Sequence, residues 1–224
     1  MRTLNHYLWK ETTLSILTVA LGLLAMFSFF DLIEELEQLQ TQGETFENID
    51  RKIPLAESGC KVLSANTYLG CWGIKEALDL GADIVICPRV TDASVTMGAA
   101  AWKFNWHRDN YNALAGSLAA GHIIECGAQT TGGNYSFFEE VPTFKNIGYP
   151  IAEIEEDGSF TITKHPNTGG LVSVGTVTAQ LLYEIAAPEY LNPDVVGHFD
   201  TLKIQQVSED RVRITGCRGS SPPS

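Results

Sequence analysis

The hydrophobic pattern changes character twice along the chain. Thr12 to Phe30 (TTLSILTVALGLLAMFSFF) is a run of nineteen residues without a charge. As a helix it spans roughly 28 Å, close to the hydrocarbon thickness of a bilayer. A helix apolar on every face over that length predicts a membrane span. A cleaved signal peptide is the alternative, but the small-x-small step Ala20-Leu21-Gly22 lies inside the run rather than after it. Arg2 and Lys10 precede the run, and positive residues on that side favour a cytoplasmic N-terminus.

After a polar stretch, Gln38 to Lys52, the pattern becomes that of alternating short helices and strands. Leu69, Trp72, Ala77 and Leu80 recur at helical spacing, and Gly81 follows as a stop. Asp83-Ile84-Val85-Ile86-Cys87 is a short apolar run that predicts a strand buried on both faces, ended by Pro88. Helices are predicted from Ala93 to about Phe104 and from Tyr111 to Ala120, the second stopping at Gly121. His122 to Cys126 reads as another strand. Phe160 to Thr163 predicts a strand and Val174 to Ile185 a helix. Leu202/Ile204 and Val212/Ile214 alternate around Ser208-Glu209-Asp210, the pattern of an antiparallel hairpin. This order predicts an α/β fold: a partial mixed sheet with flanking helices, preceded by one N-terminal transmembrane helix.

Composition narrows the function classes. Hydrophobic residues are 44% and charged residues 19% of the 224, so the chain can bury a core and is not disordered. The net charge of −12, with no Lys/Arg run, argues against nucleic acid as a partner. Cys60, Cys71, Cys87, Cys126 and Cys217 form no C-x-x-C and no Cys/His cluster, so neither a zinc site nor another metal site is expected. Reduced thiols fit that spacing better than a disulfide framework.

Three segments carry candidate chemistry. In the first, Pro88 to Ser94, a turn leaves a predicted strand and enters a helix, where free N–H groups and the dipole favour an anion. Arg89 adds a full charge, and Thr91 and Asp92 follow it. The plainer reading is that Thr91 and Asp92 cap the helix while Arg89 pairs with a carboxylate. In the second, Glu125 to Tyr135, Thr131, Gly132, Gly133 and Asn134 let a backbone approach a ligand and donate to it. It is neither a P-loop nor a G-x-G-x-x-G, and a tight structural loop is the alternative. Glu125 as general base and Cys126 as nucleophile are weak catalytic candidates, because neither has an identifiable partner. In the third, Lys164, His165, Thr168, Gly169 and Gly170 offer charge, a proton that titrates near neutrality and a possible anion-binding turn. A solvated loop between strand and helix is the alternative. His165 is a third weak catalytic candidate. His107, His122 and His198 read as structural.

Two resemblances add to this reading. RTLNHYLWKETTLSILTVALGLLAMFSFFDLIEEL, over residues 1 to about 40, resembles the start of the LptF/LptG permeases of lipopolysaccharide export. Those permeases have six spans, and no second run of comparable length occurs here. ANTYLGCWGIKEALDLGADIVICPRVTDAS, AGHIIECGAQTTGGNYSFFEEVP, YPIAEIEEDGSFTITKHPNTGGLVSVGTVTAQLLYEI and DTLKIQQVSEDRVRITGCRG resemble the acyclic terpene utilisation protein A (AtuA) family over about residues 46–222. That resemblance implies a cytoplasmic domain in bacterial breakdown of acyclic terpenes through acyl-CoA thioesters, with no reaction assigned. With the three segments read above, the expectation is a small anionic ligand, a CoA thioester or its carboxylate, with Arg89, Thr131–Asn134 and Lys164–Gly170 lining one pocket. The sequence departs from the family at Pro88, where a Gly before Arg is usual, and that change removes an N–H. The expectation is therefore a truncated AtuA-like domain, residues 46–222, joined to a permease-like N-terminal segment, residues 1–40, that meets the membrane through residues 12–30. The alternatives are a genuine single-pass membrane protein or a remnant permease subunit.

Overall fold

The computed structural model describes residues 67–222. The apolar run at Thr12 to Phe30, the permease-like segment and Cys60 lie outside the described residues. Within them, four α-helices and seven strands follow in order. Helix α1 is Trp72–Asp79, α2 Ser94–Lys103, α3 Tyr111–Ile124 and α4 Val174–Leu181. The strands are β1 Pro150–Ile154, β2 Phe160–Lys164, β3 Glu189–Leu191, β4 Val196–His198, β5 Lys203–Ser208, β6 Arg211–Thr215 and β7 Arg218–Ser220.

The α/β class holds, but the sheet is not parallel or mixed. One sheet has the order β1-β2-β6-β5 and a smaller one β3-β4-β7, and every pairing is antiparallel. Parallel pairing among the described residues is confined to two isolated bridges, Leu69↔Val90 and Ile147↔Gly169. The predicted strand at Asp83–Cys87 is irregular, with Ile84 83% and Ile86 93% exposed. An apolar run becomes a buried strand only where neighbours supply both a ladder and cover, and the described residues supply neither here.

His122–Cys126 is not a strand either. Helix α3 runs straight through Gly121 to Ile124. Gly121 is a packing residue rather than a stop: a Cβ there would lie 2.8 Å from Cα of Ala93, at the start of α2. Two helices can approach that closely only where one presents no side chain. The sequence of α3 is rich in Ala and Gly for this reason, and every residue from Ala113 to Ile123 is buried. Neighbours on all sides replace the usual solvent face.

Helix α3 separates two apolar clusters. On one side Leu114 and Leu118 meet Met97, Ala101, Trp106 and Val195. On the other, Ala119, Ala120 and Ile123 meet Phe160 and Ile162 of β2, Val212 and Ile214 of β6, and Val177 and Leu181 of α4. The register explains the second cluster. Phe160 stands opposite Ile214 and Ile162 opposite Val212, so four large side chains share one face. Each contributes about 1.5–3 kcal/mol by leaving water. The predicted β5–β6 hairpin is present, and Asp210 takes the left-handed conformation (φ 50°) that its turn requires. Helix α4 is shorter than predicted, and a reciprocal cap between Ser173 and Thr176 starts it. Buried Asp194 accepts the Cys71 N–H at 2.7 Å, serving the start of α1 from far along the chain.

Candidate functional site

The first candidate segment is fixed by its backbone and presents its charges outward. Leu69 N–H donates to the Arg89 carbonyl at 3.1 Å, and Thr91 N–H donates to the Leu69 carbonyl at 2.9 Å. The side chains then divide. Thr91 is buried, and its hydroxyl pairs with that of Ser94 and accepts from Asn192 Nδ2 at 3.1 Å. It is part of the interior. No side chain caps α2, so the capping predicted for Thr91 and Asp92 is absent. Asp92 accepts from Arg89 Nη1 at 2.7 Å, as the plainer reading expects. The Arg89 guanidinium also stacks 4.4 Å over the Tyr68 ring.

Because α3 continues to Ile124, it delivers Glu125 to the same place. A cleft of about 560 Å³ opens there. Pro88, Val90, Val95 and Ile124 form its apolar walls, and Arg89, Asp92 and Glu125 are its charged groups. Glu125 and Arg89, 36 positions apart by subtraction of their numbers, thus face one space. A mostly apolar concavity of this size with a few charged groups is the usual form of a small-molecule site.

Behind Glu125 lies a polar cluster. Cys126 donates its S–H to Glu125 Oε1 at 2.7 Å. Burial and then the neighbouring carboxylate push this thiol up to about 11, so at neutral pH it is a thiol and not a thiolate nucleophile. His122 is 4% exposed, packed against the Tyr190 and Phe199 rings at 5.5 and 6.1 Å between centroids. Its Nε2 has no hydrogen-bond partner among the described residues, and nor has Nε2 of buried Gln180. The Gln180 Oε1 accepts from Asn134 at 3.3 Å. Sequence reasoning missed Gln180 and Tyr190, which only the fold brings to α3.

Burial lowers the His122 pKa below its ordinary 6.5, opposed by the carboxylates of Glu125 and Glu184. The folded imidazole therefore stays neutral where the unfolded one binds a proton. Stability is complete above about pH 6.5 and falls as the pH drops, by up to about 1.4 kcal/mol per unit for one group. Glu153, Glu155 and Asp157, whose pKa values are held below 4.5, 4.5 and 3.8, act only at lower pH. Urea midpoints at about pH 7.5 and 5.5 check this. The wild type loses stability across that interval, and His122→Phe loses less.

The second and third segments meet each other, but through groups already bonded. Leu171 N–H donates to the Thr131 carbonyl at 2.9 Å, and the Thr131 hydroxyl donates to the Gly148 carbonyl at 2.7 Å. Gly132 and Gly133 close turns onto Gln129 and Ala128. Gly169 N–H donates to Asn146 and Gly170 N–H to Thr143, so these amides hold two loops together. Lys164 Nζ donates to the Thr168 carbonyl at 2.9 Å and pairs with Asp210 at 2.9 Å. Its side chain is 6% exposed. The Thr168 hydroxyl donates to the His165 carbonyl at 2.6 Å, and His165 itself is exposed. None of these residues lines the Arg89 cleft. Among the described residues no group of three or more His, Cys, Asp or Glu is placed to hold a metal.

Comparison with known proteins gives one family. The model described as "Acyclic terpene utilisation family protein AtuA" matches residues 19–224. The match begins inside the apolar run, earlier than the expected start near Phe46. No curated protein and no solved structure matches the chain. The family match spans both the cleft and the two welded loops, and on it the chain belongs to the acyclic terpene utilisation (AtuA) family.

Proposed function

We propose that this chain binds an anionic acyl compound, a CoA thioester or the corresponding carboxylate, in the cleft between Arg89 and Glu125. The observation that carries the reading is the meeting of a guanidinium, a carboxylate and an apolar wall in about 560 Å³. The Arg89–Asp92 pair does not block it. Both side chains are about half exposed, at 50% and 40%, and solvent screens an ion pair in that setting, so it yields readily to a ligand. Asp92 engages Nη1 and Tyr68 lies against the guanidinium, whose remaining N–H donors suit the oxygens of a carboxylate or phosphate. The apolar wall takes the first carbons of the acyl chain, next to the charged end. Glu125 is the acid of this cleft not paired with Arg89, which makes it the group suited to accept a proton from a bound acyl compound. Cys126 has no part in this chemistry, since its proton is held on sulfur.

Calorimetric titration with octanoyl-CoA and, separately, octanoate tests the reading and tells the two sources of negative charge apart. Arg89→Ala weakens binding of the true ligand about 10- to 100-fold, the loss of a charge-assisted contact. Equal binding by wild type and variant removes Arg89 from the site.

A further inference from the structure

A second cleft adjoins the first. It measures about 520 Å³ and lies beside α1. It shares Cys87, Pro88 and Val90 with the Arg89 cleft, so the two open on either side of one short segment. Its own walls are mostly apolar, with Trp72, Ile74, Ala77, Val85 and Ile86, and its charged groups are Arg108 and Asp194, the latter engaged by the Cys71 N–H. Ile86 is 93% exposed on that wall. Arg108 stacks 4.8 Å over Trp72 and adds its methylene stem to the surface. Gly73 borders the same space, and a Cβ there would meet nothing within 4 Å. The charged end of a ligand has its place at Arg89, whereas this neighbour offers mainly hydrocarbon.

Resting on the reading above, we infer that the ligand's chain crosses Pro88 and lies in this second cleft. The site is then selective for long-chain amphipathic anions, with Arg89 fixing the head and the α1 cleft measuring the tail. Affinity climbs with chain length because each methylene leaves water against Ile74, Ala77 and Val85.

Titrating this chain with the four-, six- and eight-carbon acyl compounds, each as the carboxylate (butanoate, hexanoate, octanoate) and as its CoA thioester, alongside Gly73→Leu, tests this. The leucine projects into the open space and fills the tail cleft. It replaces a glycine within α1, so helix propensity favours the folded state, and an unchanged or raised melting temperature confirms folding. Wild type gains about three- to fourfold in affinity per methylene. Gly73→Leu binds butanoate as wild type does, and octanoate no better than butanoate. A wild-type slope retained in Gly73→Leu, or a flat series in wild type, overturns the inference while leaving the Arg89 site standing. Failure of wild type to bind every member in either form, the four-carbon one included, overturns both.

Discussion

Gly158→Ala lowers the melting temperature by roughly 6–15 °C, the equivalent of about 3–4 kcal/mol in a domain of this size. Gly158 sits in the turn between β1 and β2 with φ of 83°, in the left-handed region, where a side chain is strained. The lack of room for a methyl group costs more than that strain. A Cβ would lie 2.5 Å from Cα and 2.7 Å from the carbonyl oxygen of Ala113, in the first turns of α3. Both are main-chain atoms, which cannot rotate aside as the tip of a side chain can. Gly116 faces the same contact from the helix, and a Cβ there would strike the Gly158 carbonyl. The hairpin turn and α3 touch backbone to backbone, and α3 in turn holds both apolar clusters. Thermal unfolding followed by circular dichroism checks this. A shift below about 2 °C would mean that the turn does not bear on the helix.

Lys164→Ala destabilises the fold by about 2–4 kcal/mol and leaves ligand affinity unchanged in the folded protein. Lys164 looks like an anion-binding residue in the sequence, but its ammonium is engaged inside the protein. It pairs with Asp210, whose other oxygen accepts the Val172 N–H at 2.8 Å. Removing the lysine leaves a carboxylate only 27% exposed without its cation, so solvent compensates in part and the lower half of the range applies. Denaturant unfolding gives the stability and titration with octanoyl-CoA gives the affinity. Unchanged stability with a tenfold loss of affinity would return Lys164 to the site.

These two residues show how much the sequence discloses. The spacing of apolar and turn residues located α1, α2, β2 and the β5–β6 hairpin. It misplaced the end of α3, since a glycine reads alike whether it stops a helix or admits a neighbour, and the neighbour, Ala93, is a tertiary fact. It also made Asp83–Cys87 a buried strand on apolarity alone, whereas Ile84 and Ile86 stand exposed. Strands β3, β4 and β7, three residues each with Gly in two of them, are too short to carry a pattern. At the site, Arg89 and Glu125 were each legible as charges beside a turn. Their meeting was not, because it depends on α3 reaching Ile124. Thr131, Gly169 and Gly170 have the composition of a ligand loop, yet their polar groups are consumed in joining two loops. Composition cannot distinguish a backbone that cradles a ligand from one that cradles another backbone.

Amide chemical-shift mapping tests the central claim most directly. Octanoyl-CoA titrated into ¹⁵N-labelled protein moves the amide resonances of Val90, Thr96 and Glu125, which line the cleft. Perturbations gathered instead at Thr131–Asn134 and Lys164–Gly170, with Val90 and Glu125 unmoved, would place the ligand in the welded loops and contradict the account.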